Sequence, residues 1–111
     1  MSTTSAALAI ITIVGMTAGQ LLFKTASQQG TAIQIITSLS FWTATCLYGV
    51  VTIAWVLLLR EMGLARAYPI MAATYVLVPL ASFAILGERV GPMYMLGIAM
   101  ISGGIILTRF E

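Results

Sequence analysis

Two groups of polar side chains stand at helical spacing in an otherwise apolar chain. Thr17, Gln20, Lys24 and Ser27 follow one another at offsets of three, four and three, a single stripe on one helix. Tyr68, Tyr75 and Ser82 recur every seven residues, with Ala72 and Pro79 between them on the same face. Pro79 has no N–H, so the carbonyl of Tyr75 loses its helical partner and must be covered by protein or by water. Phenols, a freed carbonyl and small side chains are what a polar pocket needs. The plainer alternative is a kinked packing helix with tyrosines at the membrane interface. These groups hold ligands rather than break bonds. The chain has no paired acids, no Cys–His or Ser–His arrangement and no glycine-rich phosphate loop following a strand. It has no histidine, and its one cysteine, Cys46, has no partner for a disulfide. The reading is therefore not an enzyme, with no metal and no cofactor.

The elements that must position these residues are long and apolar. Four stretches, about 6–26, 33–59, 64–86 and 92–108, carry no carboxylate in their interiors, and Glu61, Glu88 and Glu111 all fall at their ends. A helix crossing the roughly 30 Å hydrocarbon core needs about 20 apolar residues, which these stretches supply or nearly supply. Hydrophobic residues make up 60% of the 111-residue chain and charged ones only 7%, which places it among membrane proteins. A net charge of +2, scattered along the chain, does not suggest nucleic acid. The expected fold is an all-α integral membrane protein of four transmembrane helices in one domain with short loops, packed as a dimeric bundle. No Lys or Arg precedes Lys24, so the first stretch does not read as a cleaved signal peptide.

Ser27-Gln28-Gln29-Gly30-Thr31, Arg60-Glu61-Met62-Gly63 and Gly87 to Pro92 mark the connections. Such short connections make successive helices antiparallel neighbours. Both termini then share a side with Arg60, Arg66 and Arg109, while Lys24 and Arg89 lie on the other. Three against two is almost no bias, and the positive-inside rule needs a clear excess to set orientation. Either a weak preference for both termini inside holds, or copies insert both ways and pair as an antiparallel dimer, an inverted repeat made from two chains.

Gly15 and Gly19 form a Gly-x-x-x-Gly pair on the first helix, read as ordinary packing. Lys24, near that helix's end, is either a functional cation or an anchor snorkelling to the headgroups. Trp42 and Trp55 are interfacial anchors or cavity walls, and Thr37, Ser40, Thr43 and Thr45 are expected mostly to bond back to their own helix. Gly97, Gly103 and Gly104, with Ala99 and Ser102, give the last helix a surface suited to close approach of another helix. They are the candidate dimer interface.

Four short helices with a lysine ending the first resemble the small multidrug resistance family within the drug/metabolite transporter (EamA-like) superfamily. Ala18-Gly19-Gln20-Leu21-Leu22-Phe23-Lys24-Thr25-Ala26 resembles the A-G-Q-x-x-x-K-x-A run of the small flippase subunits for undecaprenyl-phosphate aminoarabinose. Tyr68-Pro69, then Leu86-Gly87-Glu88-Arg89 through Gly97 to Gly103-Gly104-Ile105, resembles their second half. The likeness spans nearly the full length. Drug-exporting members carry a glutamate eight residues before the lysine; here that position is Met16, as in the flippase subunits, which lack the acid. The first loop, 27–34, is shorter and less basic than theirs.

An anionic amphipathic substrate fits the residues independently. Lys24 with Arg60 or Arg66 can supply charge-assisted bonds to a phosphate. Gln20, Tyr68 and Tyr75 can serve sugar hydroxyls or an amine, and the lipid tail can stay in the bilayer. Gln20, Lys24, Tyr68 and Tyr75 are expected to line one cavity with Lys24 at its mouth. The expected activity is movement of a polyprenyl-phosphate-linked sugar or related anionic lipid across the cytoplasmic (inner) membrane, by a homodimer or a heterodimer with a similar subunit. The alternatives are a multidrug-type exporter of small molecules and an accessory membrane subunit of a larger complex.

Overall fold

The computed structural model describes residues 3–110, so the expectation for Glu111 lies outside the described residues. Helix α1 runs Thr3–Ser27, α2 Ala32–Ile36, α3 Leu39–Glu61, α4 Leu64–Met71, α5 Thr74–Ala81 and α6 Pro92–Thr108. No strand occurs among the described residues. Thr3–Ser27, Leu39–Glu61 and Leu64–Leu86 are each long and apolar enough to cross a membrane. Pro92–Thr108, at 17 residues, is the shortest apolar helix of the four and sits at the lower edge of spanning length. The chain is an all-α membrane protein.

Several hydroxyls inside the spans are satisfied by their own helix, as lipid favours. Thr12, Thr17, Thr45, Thr52 and Ser102 each donate to the carbonyl four residues back, at 2.7–2.9 Å. The second apolar stretch, expected as one piece over 33–59, is divided. Thr31 and Gln34 form a reciprocal capping box that starts α2, and Ser38 caps α3 by accepting from the Phe41 N–H. Two strong N-caps so close together nucleate two helices where hydropathy alone suggests one.

The third span is interrupted twice. Between α4 and α5 the ladder tightens: the Ala73 N–H reaches Ile70 and the Tyr75 N–H reaches Ala72, each three residues back. Pro69 and Pro79 leave two donors missing on either side of this joint. Beyond Ala81 the chain widens into a π-helical turn, Ser82–Leu86, closed by Gly87 in the left-handed region at φ 73°. Both irregular segments lie on the span that carries the tyrosine row.

α1 and α3 pack antiparallel along most of their length. Gly15 meets Val51, Gly19 meets the Tyr48 ring, and Ala9 clusters with Leu58 and Ile70. α4 and α5 lie against α1, and α6 lies against α4 and α5. The result is a slab measuring 46 × 36 × 18 Å, hardly two helices thick in its narrow direction. Its outer faces are apolar: Ile10, Val14, Val50, Ile53, Phe83, Met100 and Leu107 are all more than half exposed to what in a membrane is lipid.

Candidate functional site

Five elements build one polar groove. α1 contributes Met16 and Gln20, and α3 contributes Tyr48. Tyr68, Met71 and Ala72 come from α4 and its end, Thr74, Tyr75, Val78 and Pro79 from α5, and Tyr94 from α6. The groove has a volume of about 510 Å³, inside the ~300–1,000 Å³ range of small-molecule sites. The chain has four tyrosines, and all of them line it. A chance distribution over so many apolar faces would not collect every phenol on one wall. No lining residue is charged, so the groove offers hydrogen bonds and aromatic faces rather than ions.

Its inner wall is tied together. Gln20 Nε2 donates to the Tyr48 hydroxyl at 2.6 Å, and that hydroxyl donates to the Met16 carbonyl at 3.4 Å. The Tyr48 ring stacks against Phe23 at 5.3 Å, and Tyr68 meets Trp55 edge-on at 6.2 Å. Tyr68 and Tyr75 are 58% and 67% exposed, so their hydroxyls remain open to a ligand. Trp55 therefore backs Tyr68 from outside the groove's lining, whereas Trp42 is exposed.

The structure brings Gln20, Tyr68 and Tyr75 onto this groove, together with Ala72 and Pro79 of the same helical face. Lys24 is not in its lining. Its ammonium lies 3.9 Å from Glu88, one turn beyond Gln20. Ser82, the next member of the tyrosine row, lines a second depression of about 320 Å³ with Glu88, Arg89, Val90 and Gly91. Pro79 and Tyr94 belong to both hollows, so the polar groove continues toward the charged end of the bundle.

Arg60 and Arg66 lie at the other end. Leu58 packs against Ala9, and Lys24 stands about 15 residues, or ~22 Å of helix, farther along α1. Arg66 offers its carbonyl to Arg109 Nη2 at 3.0 Å, linking the start of α4 to the end of α6. Within one chain the antiparallel packing of α1 and α3 therefore keeps Lys24 apart from Arg60 and Arg66. Two cation groups stand at opposite ends of the groove instead.

Two of the lining tyrosines, Tyr48 and Tyr94, were not expected. A signal for the first is present: Phe41, Tyr48 and Trp55 repeat every seven residues on α3, an aromatic row matching the one on the third span. Tyr94 lies two residues past Pro92 and carries no comparable pattern. Gly97, Gly103 and Gly104 lie away from the groove's lining, with no neighbouring atom within 4 Å of where a Cβ would stand.

Among known proteins, the chain is 35% identical over 91 residues to a protein of Salmonella typhimurium strain LT2 named "Probable 4-amino-4-deoxy-L-arabinose-phosphoundecaprenol flippase subunit ArnE". The match covers 80% of this chain and 82% of the relative. Proteins of the same name from Salmonella newport and Salmonella paratyphi C match over the same shares at 35% and 34% identity. No protein-family model matches the chain. No solved structure matches it either.

Proposed function

Because the chain belongs to the family of small 4-amino-4-deoxy-L-arabinose-phosphoundecaprenol flippase subunits, we propose that it moves a polyprenyl-phosphate-linked sugar, or a related anionic amphipathic lipid, across the membrane. It is a multi-pass inner-membrane protein of a transport family, not an enzyme. The observation that carries the proposal is the convergence of Gln20 and every tyrosine on one groove that leads to Lys24 and Arg89. Gln20 and the phenols serve the sugar, Lys24 serves the phosphate, and the prenyl tail lies along the apolar outer surface.

Membership of the wider small multidrug resistance and drug/metabolite transporter superfamily is part of this proposal. It is supported by the four short helices and the lysine closing the first. A proton-driven drug exporter is disfavoured by the groove itself, where Met16 stands and no carboxylate is found. A slab 18 Å thick cannot enclose a headgroup alone. The working unit is therefore a pair, a second copy or a similar subunit, with the open glycines of α6 toward the partner.

The decisive experiment is Lys24→Ala, measured as binding of short-chain prenyl-phosphate sugars by purified protein and as their flipping in vesicles. Losing a hydrogen bond to a charged group costs roughly 1.5–3 kcal/mol, or about ten- to a hundredfold in affinity. Lys24→Arg should retain much of the affinity. Wild-type affinity in Lys24→Ala, per folded protein, would reduce Lys24 to a membrane anchor.

A further inference from the structure

Glu88 is built into the fold from its own side of the bundle. The N–H groups of Gly87 and Glu88 both reach the Ser82 carbonyl, closing the π-helical turn. The Ser82 hydroxyl, on a buried residue, donates to Glu88 Oε1. The other carboxylate oxygen, Oε2, faces Lys24 Nζ at 3.9 Å. The two partners are thus unequal. The carboxylate is fixed by a serine and a tight turn, whereas the ammonium sits at the end of a flexible stem. At 47% and 49% exposure and at this length, the pair costs little to open.

Glu88 and Arg89 also line the depression that continues the polar groove. An anion arriving there meets Arg89 in the lining and, across Glu88, a lysine already paired with that carboxylate. A phosphate that wins Lys24 leaves the Glu88 carboxylate beside a second negative charge, which is unfavourable. A ligand carrying a phosphate and a free amine avoids that penalty, because each of its charges replaces one partner of the original pair.

We infer that the Lys24–Glu88 pair is a placeholder for a headgroup bearing both charges: the ligand's phosphate takes Lys24, and Glu88, held by Ser82, accepts its ammonium. Glu88 is then the residue that selects amino-sugar phosphates over neutral-sugar phosphates. Arg89 adds positive charge to the same hollow and favours the phosphate without serving the amine. The inference rests on the proposed lipid-phosphate reading of the groove; the relatives' name already carries an amino sugar, and what is added is the residue that recognises the amine.

The test compares two short-chain prenyl phosphates, one carrying a sugar with a free amine and one its N-acetylated form. Binding is measured on full-length protein in phosphatidylcholine nanodiscs. Wild type is expected to prefer the free amine by about tenfold, the scale of one hydrogen bond to a charged group. Glu88→Gln should bind the two forms alike, and should bind the acetylated form at least as tightly as wild type does, since the competing anion is gone. Ser82→Ala, a smaller change that leaves the ion pair's atoms in place, should weaken the preference by freeing the carboxylate. The inference is overturned if wild type shows no preference, or if Glu88→Gln keeps all of it. If neither ligand binds wild type or Glu88→Gln, the lipid-phosphate reading has failed and this inference falls with it. Binding without selection defeats the inference alone.

Discussion

On α1 the glycines are covered, and on α6 they are bare. A Cβ built on Gly15 would overlap the Val51 Cγ2 methyl, and one on Gly19 would overlap the Tyr48 ring. At Gly97, Gly103 and Gly104 the same construction meets open space. Glycine–x–x–x–glycine spacing and small-residue rows therefore describe an opportunity for close approach, and the fold decides who takes it. Helix α1 uses its glycines internally, seating Val51 and the tyrosine that organises the groove's inner wall. The second half leaves them outward, on the edge helix of a slab, while its own packing is interrupted by Pro69, Pro79 and a π-helical turn. One half is closely packed, and the other has an irregular backbone and an uncovered glycine surface.

The contrast breaks most sharply at Gly15. Gly15→Leu should drive a side chain into the buried Val51 contact and separate α1 from α3, costing about 1–3 kcal/mol by overpacking. Denaturant titration of the purified protein in detergent would register it as an early loss of helix–helix packing. A stability equal to wild type would mean that α1 and α3 do not approach as closely as described. Gly104→Leu should instead leave the fold of the single chain intact and weaken association by about tenfold, ~1.4 kcal/mol, read by cross-linking yield in bilayers. Dimer content equal to wild type would refute the proposed interface on α6.

Tyr48→Phe keeps the ring that fills the space above Gly19 but removes the hydroxyl shared by Gln20 and Met16, a loss of about 1 kcal/mol. Headgroup affinity should fall by several-fold, and melting by the few degrees that about 1 kcal/mol represents. A larger drop in stability than in affinity would make Tyr48 a purely structural residue. Arg60→Gln should have the smallest effect, within about 0.5 kcal/mol on both stability and headgroup binding, as expected of an exposed residue far from Lys24. Loss of binding comparable to Lys24→Ala would show that both ends of the groove hold the same phosphate.

Much of this was written in the order of residues. Stretch length and the placement of every acid at a stretch end determine four apolar helices, because hydrocarbon accepts no unpaired backbone and few charges. Seven-residue spacing likewise determines that Tyr68, Ala72 and Tyr75 share a face, since helical periodicity acts within one helix whatever surrounds it. The divisions at Thr37–Ser38 and at Ala72–Ala73 are less legible, because hydropathy does not register a cap or a tightened turn inside a greasy run. Relations between helices belong to the tertiary structure alone. Packing of α1 against α3 sets Gln20 beside Tyr48 and sends Arg60 to the far end from Lys24. Closure of the π-helical turn at Gly87 brings Glu88 to Lys24 and turns an apparently lone cation into one half of a pair. Periodicity gives each helix its faces but carries no information about rotation or about which face meets which. That choice is made by side chains from distant segments competing for the same space.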